Sequence, residues 1–237
     1  MLIRGLLLDK DGTLLDYHAS WMPLNRTIAL FAACGDTALA DRLLEHAGHD
    51  PRSGRVRANT PLAAGTPEEI AASFAEVLGK TASASLAAEI DQLFQKGSEA
   101  SVLVPDAVAA IRRLRQKASF LGIATSDSKA GLRASMAPHG LLPSFDFLAA
   151  YDSGHGLKPG PGMALAFCSA CSLEPAEICV IGDNRHDIDM GRAAGAAMVV
   201  GVLTGTSTMA DFDGQTDLIY PGIAEMSADS EFMARLG

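Results

Sequence analysis

The feature that most restricts what this chain can fold into stands at its start. The mostly apolar run Leu2 to Leu8 is closed abruptly by Asp9-Lys10-Asp11-Gly12-Thr13. Such a run reads as a strand buried on both faces, as in parallel sheets that lie between two helical layers. Strands of this kind deliver polar groups at their carboxyl ends, where α/β proteins build their sites. Side chains alternate along an extended chain, so Asp9 and Asp11 are expected on one side with Lys10 opposite, and two carboxylates then face one pocket. Gly12 and Thr13 let the backbone turn tightly and offer N–H groups as a concave nest for phosphate oxygens.

Beyond Val104-Pro105-Asp106 apolar strands and amphipathic helices alternate. Helices are predicted near Asp106 to Lys117, Lys129 to His139, Met163 to Ser172 and Ile188 to Ala194, and strands near Phe120 to Ala124, Phe147 to Tyr151, Ile178 to Ile181 and Met198 to Val202. This rhythm implies right-handed βαβ units and a doubly wound parallel sheet covered on both faces. From Trp21 to about Gly97 the strand pattern gives way to Ala-rich segments with helical spacing, which predicts an all-helical insert. Thr66-Pro67-Glu68-Glu69 combines an N-cap hydroxyl, a proline at the first helical position and a glutamate placed for a capping box, so a helix should run from Pro67 to about Leu78. Gly48 to Gly65 has no period and reads as a loop carrying Arg52, Arg55 and Arg57. The division is therefore a core of residues 1–16 and 101–237 around an insert of residues 17–100.

Composition excludes several classes. At 237 residues, with 48% hydrophobic and 20% charged residues, the chain has the balance of a folded globular protein with its own core. A formal net charge of −9 argues against nucleic acid as a partner, because backbone affinity needs clustered surplus Lys and Arg. No apolar run approaches the roughly 20 residues that span a bilayer, so a cytoplasmic protein with no membrane contact is expected. Cys34, Cys168, Cys171 and Cys179 are too few for a disulfide framework. Cys168 and Cys171 form a C-x-x-C pair without a second pair at zinc-site spacing, so buried helix packing of reduced thiols is expected.

Three more motifs follow the first in order: Thr125-Ser126 after the strand ending at Ala124, Lys158-Pro159-Gly160-Pro161, and Gly182-Asp183-Asn184-Arg185-His186-Asp187 after the strand ending at Ile181. Together the four resemble those of the haloacid-dehalogenase-like phosphatases, and the phosphoglycolate phosphatase branch in particular. The resemblance covers nearly the whole chain, since Thr216 to Glu225 is similar to the family's last strand and helix. It implies a Rossmann-like core, and it makes the helical block the counterpart of a mobile cap that closes over the site and selects the substrate.

The resemblance also implies roles. Asp9 would attack phosphorus in line and form an aspartyl-phosphate. Asp11 would protonate the leaving alkoxide and then deprotonate water, which requires a pKa raised above the usual carboxylate value of about 3.9. Thr125 would hydrogen-bond the phosphoryl group, Ser126 standing where many relatives have Asn, and Lys158 would neutralise nucleophile and phosphate as a compact point charge. Mg²⁺ is the implied cofactor, ligated by Asp9, the backbone carbonyl of Asp11 and Asp183, with Asp187 either a further ligand or a partner behind them; oxygen donors suit that ion. The implied partner is a small phosphorylated metabolite such as 2-phosphoglycolate, bound by a monomer or homodimer. Its carboxylate needs a cation, and Arg55 and Arg57 are the candidates because a guanidinium grips a carboxylate with two hydrogen bonds. His18, Arg26 and Asn59 stand behind them. His186 reads as a solvated residue at a helix start, and Lys10 has no assigned role.

A phosphosugar mutase of the same superfamily would carry the same aspartates. A dehalogenase is disfavoured because Asp11 would have no alkoxide to protonate. Phosphonate hydrolysis would need a Schiff-base lysine, and Lys80 and Lys96, the lysines of the insert, lie in no matching motif. A non-catalytic binding module on the same fold would ordinarily have lost one of Asp9, Asp11, Lys158 or Asp183.

Overall fold

The computed structural model describes residues 2–81 and 83–237. In chain order its elements begin with β1 (Gly5–Leu8), α1 (Tyr17–Ala32), α2 (Thr37–Ala47), β2 (His49–Asp50), β3 (Arg55–Val56), α3 (Pro61–Ala64), α4 (Pro67–Leu78) and α5 (Ala84–Gly97). There follow α6 (Ala107–Arg115), β4 (Phe120–Ala124), α7 (Lys129–Met136), β5 (Phe147–Ala149), α8 (Gly162–Cys171), β6 (Ile178–Gly182) and α9 (Arg185–Ala194). The chain ends with β7 (Met198–Val202), β8 (Leu218–Tyr220), α10 (Ile223–Ala228) and α11 (Ser230–Met233).

Six strands form one parallel sheet in the order β5-β4-β1-β6-β7-β8. Strand alternation divides the core into two. Leu6 and Leu8 of β1 join Ile111 and Leu114 of α6 and Met226 of α10 on one face, while Leu7 joins Phe167 of α8 and Ile188 of α9 on the other. Both faces of β1 are thus dry, which is why its sequence is apolar throughout. The chain steps from β1 to β4 on one side and returns to β6 on the other, so their carboxyl ends flank the switch in strand order, where α/β sheets open a crevice.

The helical block stands between β1 and β4. Its α4 starts as its sequence dictates: Thr66 Oγ1 accepts from Glu69 N and Glu69 Oε2 accepts from Thr66 N, completing the capping box. The segment from Gly48 to Gly65 is more ordered than a loop. His49 pairs with Val56 and Asp50 with Arg55, antiparallel, and α3 follows, so the insert is helical except for this hairpin. The Asp50 side chain closes the turn by accepting from Arg52 N at 3.0 Å and Ser53 Oγ at 2.7 Å. Strands of two residues are too short to display a period.

The insert leaves and rejoins the sheet layer through adjacent segments. Asp16 N donates to Val102 O at 2.8 Å and Val104 N to Leu14 O at 3.0 Å, so the two connections run side by side. Cys168, Cys171 and Cys179 are buried free thiols and Cys34 is an exposed one. Among the described residues no helix is long and apolar enough to cross a membrane.

Candidate active site

The carboxyl ends of β1, β4 and β6 bring Asp9, Thr125 and Asp183 to the floor of one cavity, with Asp11, Ser126, Lys158 and Asp187 beside them. Helices α1, α3, α4 and α5 cover it. Carboxylate oxygens of Asp9, Asp183 and Asp187 lie within 4.8 Å of one another, all three residues buried. Lys158, joined to Pro159 by a cis peptide bond, places Nζ 2.6 Å from Asp9 Oδ1 and 2.5 Å from Asp187 Oδ1.

Each of these groups is fixed by local structure. The other oxygen of Asp187 accepts from Asn184 N at 3.1 Å, capping α9, so Asp187 both starts a helix and holds the ammonium. Asp183 Oδ2 accepts from Thr206 N at 2.8 Å. Asp9 N donates to Ile181 O at 2.8 Å, extending the ladder one residue past β1. Thr125 Oγ1 accepts from Asp127 N at 3.1 Å, which leaves its hydroxyl proton available to a ligand.

Three buried carboxylates face one ammonium, a formal excess of two negative charges. The electrostatics register that excess. Burial, partly opposed by Lys158, raises the Asp9 pKa from 3.8 to about 6. Burial and the neighbouring Asp9 push Asp183 well above the ordinary carboxylate range. Lys158 is raised: the two carboxylates beside it outweigh its burial. An all-oxygen donor set with two unbalanced charges fits a hard divalent cation, and these residues could hold one.

Asp11 shares the cavity with Asp9 but is gripped differently. The backbone bends at Lys10, so alternation no longer applies, and Lys10, although it stays out of the cavity lining, reaches Asp11. Lys10 is 0% exposed, and its Nζ lies 2.8 Å from Asp11 Oδ1 and 2.9 Å from Asp127 Oδ2, with the Trp21 ring centroid at 4.7 Å. Trp21 Nε1, from α1, donates to Asp11 Oδ1 at 2.7 Å. Burial raises the Asp11 pKa to about 6 against the opposing pull of Lys10.

Two expectations for this region do not hold. The Gly12 N–H donates to Leu15 O at 2.7 Å and is not free to cradle phosphate, while Thr13 is fully buried, and neither residue lines the cavity. Gly12 instead allows close approach: its φ is +85°, and a Cβ there would lie 2.5 Å from the Asp183 carboxylate. Nor do Arg55 and Arg57 reach the cavity, because backbone carbonyls bind their guanidinium groups. Arg55 Nη2 donates to Gly205 O at 3.2 Å and Arg57 Nη2 to Glu45 O at 2.9 Å. His18, Arg26 and Asn59 are likewise absent from the lining.

Several lining residues were not singled out from the sequence. Trp21, Tyr17 and Asn25 recur along one face of α1, a four-residue spacing that was legible in the sequence as a helix face but carried no chemical motif. Asp127 follows Thr125-Ser126 and receives Lys10. His186 does face the cavity from the first turn of α9.

Comparison with known proteins agrees with this geometry. The family model described as haloacid dehalogenase-like hydrolase matches residues 3–195. The N-acetylmuramic acid 6-phosphate phosphatase of Pseudomonas putida is 24% identical over 196 residues, covering 82% of this chain and 81% of that protein. The phosphoglycolate phosphatase of Escherichia coli O157:H7 is 25% identical over 236 residues, covering 94% of this chain and 91% of its own length. Among solved structures, CbbY from Rhodobacter sphaeroides in complex with phosphate shares the fold with a TM-score of 0.69 at 20% identity, covering 95% of this chain and 96% of that one. A HAD phosphatase from Thermococcus onnurineus gives 0.67 at 18% identity, covering 95% and 97%. The chain belongs to the haloacid dehalogenase-like hydrolases.

Proposed function

We propose that the protein hydrolyses a small phosphate monoester through a phosphoaspartyl intermediate on Asp9, with Mg²⁺ as cofactor. The observation that carries this reading is the posture of Asp9: on the cavity floor Lys158 fixes Oδ1 at 2.6 Å, and among the described residues no side chain donates to Oδ2. The free oxygen attacks phosphorus, the bond to the ester oxygen breaks, and the departing alkoxide takes a proton from Asp11. Asp11 then removes a proton from water, whose oxygen attacks the same phosphorus and frees Asp9. A pKa near 6 lets Asp11 serve both halves of the cycle, and an approaching phosphate anion favours its protonated form further. Thr125 and Ser126 donate hydrogen bonds to the phosphoryl oxygens, and Lys158 balances their charge.

Asp9, Asp183 and the backbone carbonyl of Asp11 would hold the Mg²⁺, with Asp187 anchoring Lys158 beside it. When bound, the ion would offset the carboxylates' excess charge and the charge on the phosphoryl group. Residues 17–100 act as the closing cap over a core of residues 1–16 and 101–237, a division supported by the paired connections at Leu15 and Leu103.

The similarity to a phosphoglycolate phosphatase puts 2-phosphoglycolate in the test panel beside esters of neutral alcohols. Phosphate release from a panel of small esters, with Mg²⁺ and with a chelator in parallel, tests the function. Turnover that disappears with chelator is the expected result, and Asp9→Asn should reduce it at least about 10³-fold with the fold retained. Normal activity in Asp9→Asn would refute the mechanism.

A further inference from the structure

The roof of the cavity differs in kind from its floor. The floor gathers five carboxylates, Asp9, Asp11, Asp127, Asp183 and Asp187, with Lys158 paired to Asp9 and Asp187, and with Lys10, from outside the lining, paired to Asp11 and Asp127. The roof turns Trp21, Leu62, Ile70 and Phe94 toward that floor, with Tyr17 and Asn25 as its neutral polar members. Even these are partly committed to one another, since the Tyr17 hydroxyl donates to the Leu62 carbonyl and accepts from Asn25 Nδ2 at 3.4 Å. Among the described residues the lining includes no arginine, and Lys158 is its one lysine. The remaining basic side chain, His186, lies in the first turn of α9 at the cavity wall, and burial lowers its pKa, which disfavours its charged form.

A substrate places its phosphoryl group on the floor and its organic group under the roof. A carboxylate on that organic group would enter a cavity already rich in carboxylates and find no guanidinium to receive it, and a charge buried without a partner is strongly disfavoured. An apolar face there would instead meet side chains that gain by shedding water. We infer that the site takes phosphate monoesters of neutral alcohols that present an apolar face, and rejects phosphorylated acids. This specificity rests on the phosphatase reading above.

Two matched pairs test it with Mg²⁺ present: phenyl phosphate against 4-carboxyphenyl phosphate, and 2-hydroxyethyl phosphate against 2-phosphoglycolate. The neutral member of each pair should have a kcat/KM higher by about 10²-fold, the scale set by one charged group left without its partner. Ala64→Arg, which adds a guanidinium at a partly exposed position of the roof, should narrow that ratio by about tenfold. Equal or faster turnover of the acids by the natural chain overturns the inference and leaves the phosphatase intact. Phosphate release from none of the four overturns both.

Discussion

Trp21 Nε1 donates a hydrogen bond to Asp11 Oδ1 at 2.7 Å, tying the first helix of the insert to the loop that follows β1. The same ring packs edge-on against Phe94 at 5.7 Å and under the Lys10 ammonium at 4.7 Å. The proposed proton donor is therefore oriented partly by the layer that covers it.

Trp21→Phe keeps an aromatic ring and removes that donor. A hydrogen bond to a charged group is worth about 1.5–3 kcal/mol, so kcat on an alkyl phosphate should fall by about tenfold or more. The loss should shrink with 4-nitrophenyl phosphate, whose leaving group departs without a proton. An equal loss on both esters would mean that Trp21 does not act through Asp11. Trp21 is the sole tryptophan, so its emission also reports on this junction in the natural protein.

Lys10 is buried between two carboxylates, and its removal leaves Asp11 and Asp127 facing each other without a counter-charge. Lys10→Met should lower stability by about 3 kcal/mol in urea unfolding. Adding Asp127→Asn should restore part of that loss. Failure of the second change to help would show that Lys10 matters by shape and not by charge.

Stability without metal should fall as pH rises through the range set by Asp9 and Asp11. Both carboxyls move from 3.8 to about 6 on folding, mainly through burial, so between these values the folded chain binds more protons than the unfolded one. Their contribution is present at low pH and lost as pH climbs past the folded value. Asp183, raised by burial, adds to this trend, whereas Asp50, Glu177 and Asp229, lowered by their hydrogen bonds, and His18 and His186, lowered mainly by burial, work against it. In chelator the Tm should be higher at about pH 5 than at about pH 7.5, and Mg²⁺ should raise it most at the higher pH. A Tm that climbs with pH in chelator would contradict the burial argument.

Gly12→Ala confronts both a left-handed backbone and the Asp183 carboxylate. The backbone alone costs about 1–2 kcal/mol. Mg²⁺ protection against thermal unfolding should weaken as well, because Asp183 is the group displaced. Unchanged protection would separate Gly12 from the carboxylate cluster.

How much of this was legible in the sequence depended on element length. Ile178–Gly182 and Met198–Val202 are apolar runs between turn residues, and the sheet reads directly from them. The start of α9 was less legible: apolar spacing begins at Ile188, whereas the helix begins at Arg185 because Asn184 and Asp187 cap it. The hairpin at His49–Asp50 and Arg55–Val56 escaped notice because two residues cannot alternate. Asp9 and Asp11 line the cavity and Lys10 does not, but alternation, carried past Leu8 where the strand stops, gave no sign that Lys10 Nζ reaches Asp11. The motif residues Asp9, Asp11, Thr125, Lys158 and Asp183 come together as their positions after strands suggest. Arg55 and Arg57 do not, since composition can supply a guanidinium but cannot say which carbonyl will take it.

The pairing of Leu15 with Leu103 also bears on how such a chain can diversify. Polypeptide enters and exits the helical layer through a single doorway, so everything between is topologically an excursion from one point of the sheet. Such an excursion can be lengthened, shortened or exchanged for another of different shape without rethreading a strand. The chemistry below is then free to acquire new clientele while its own wiring stays the same.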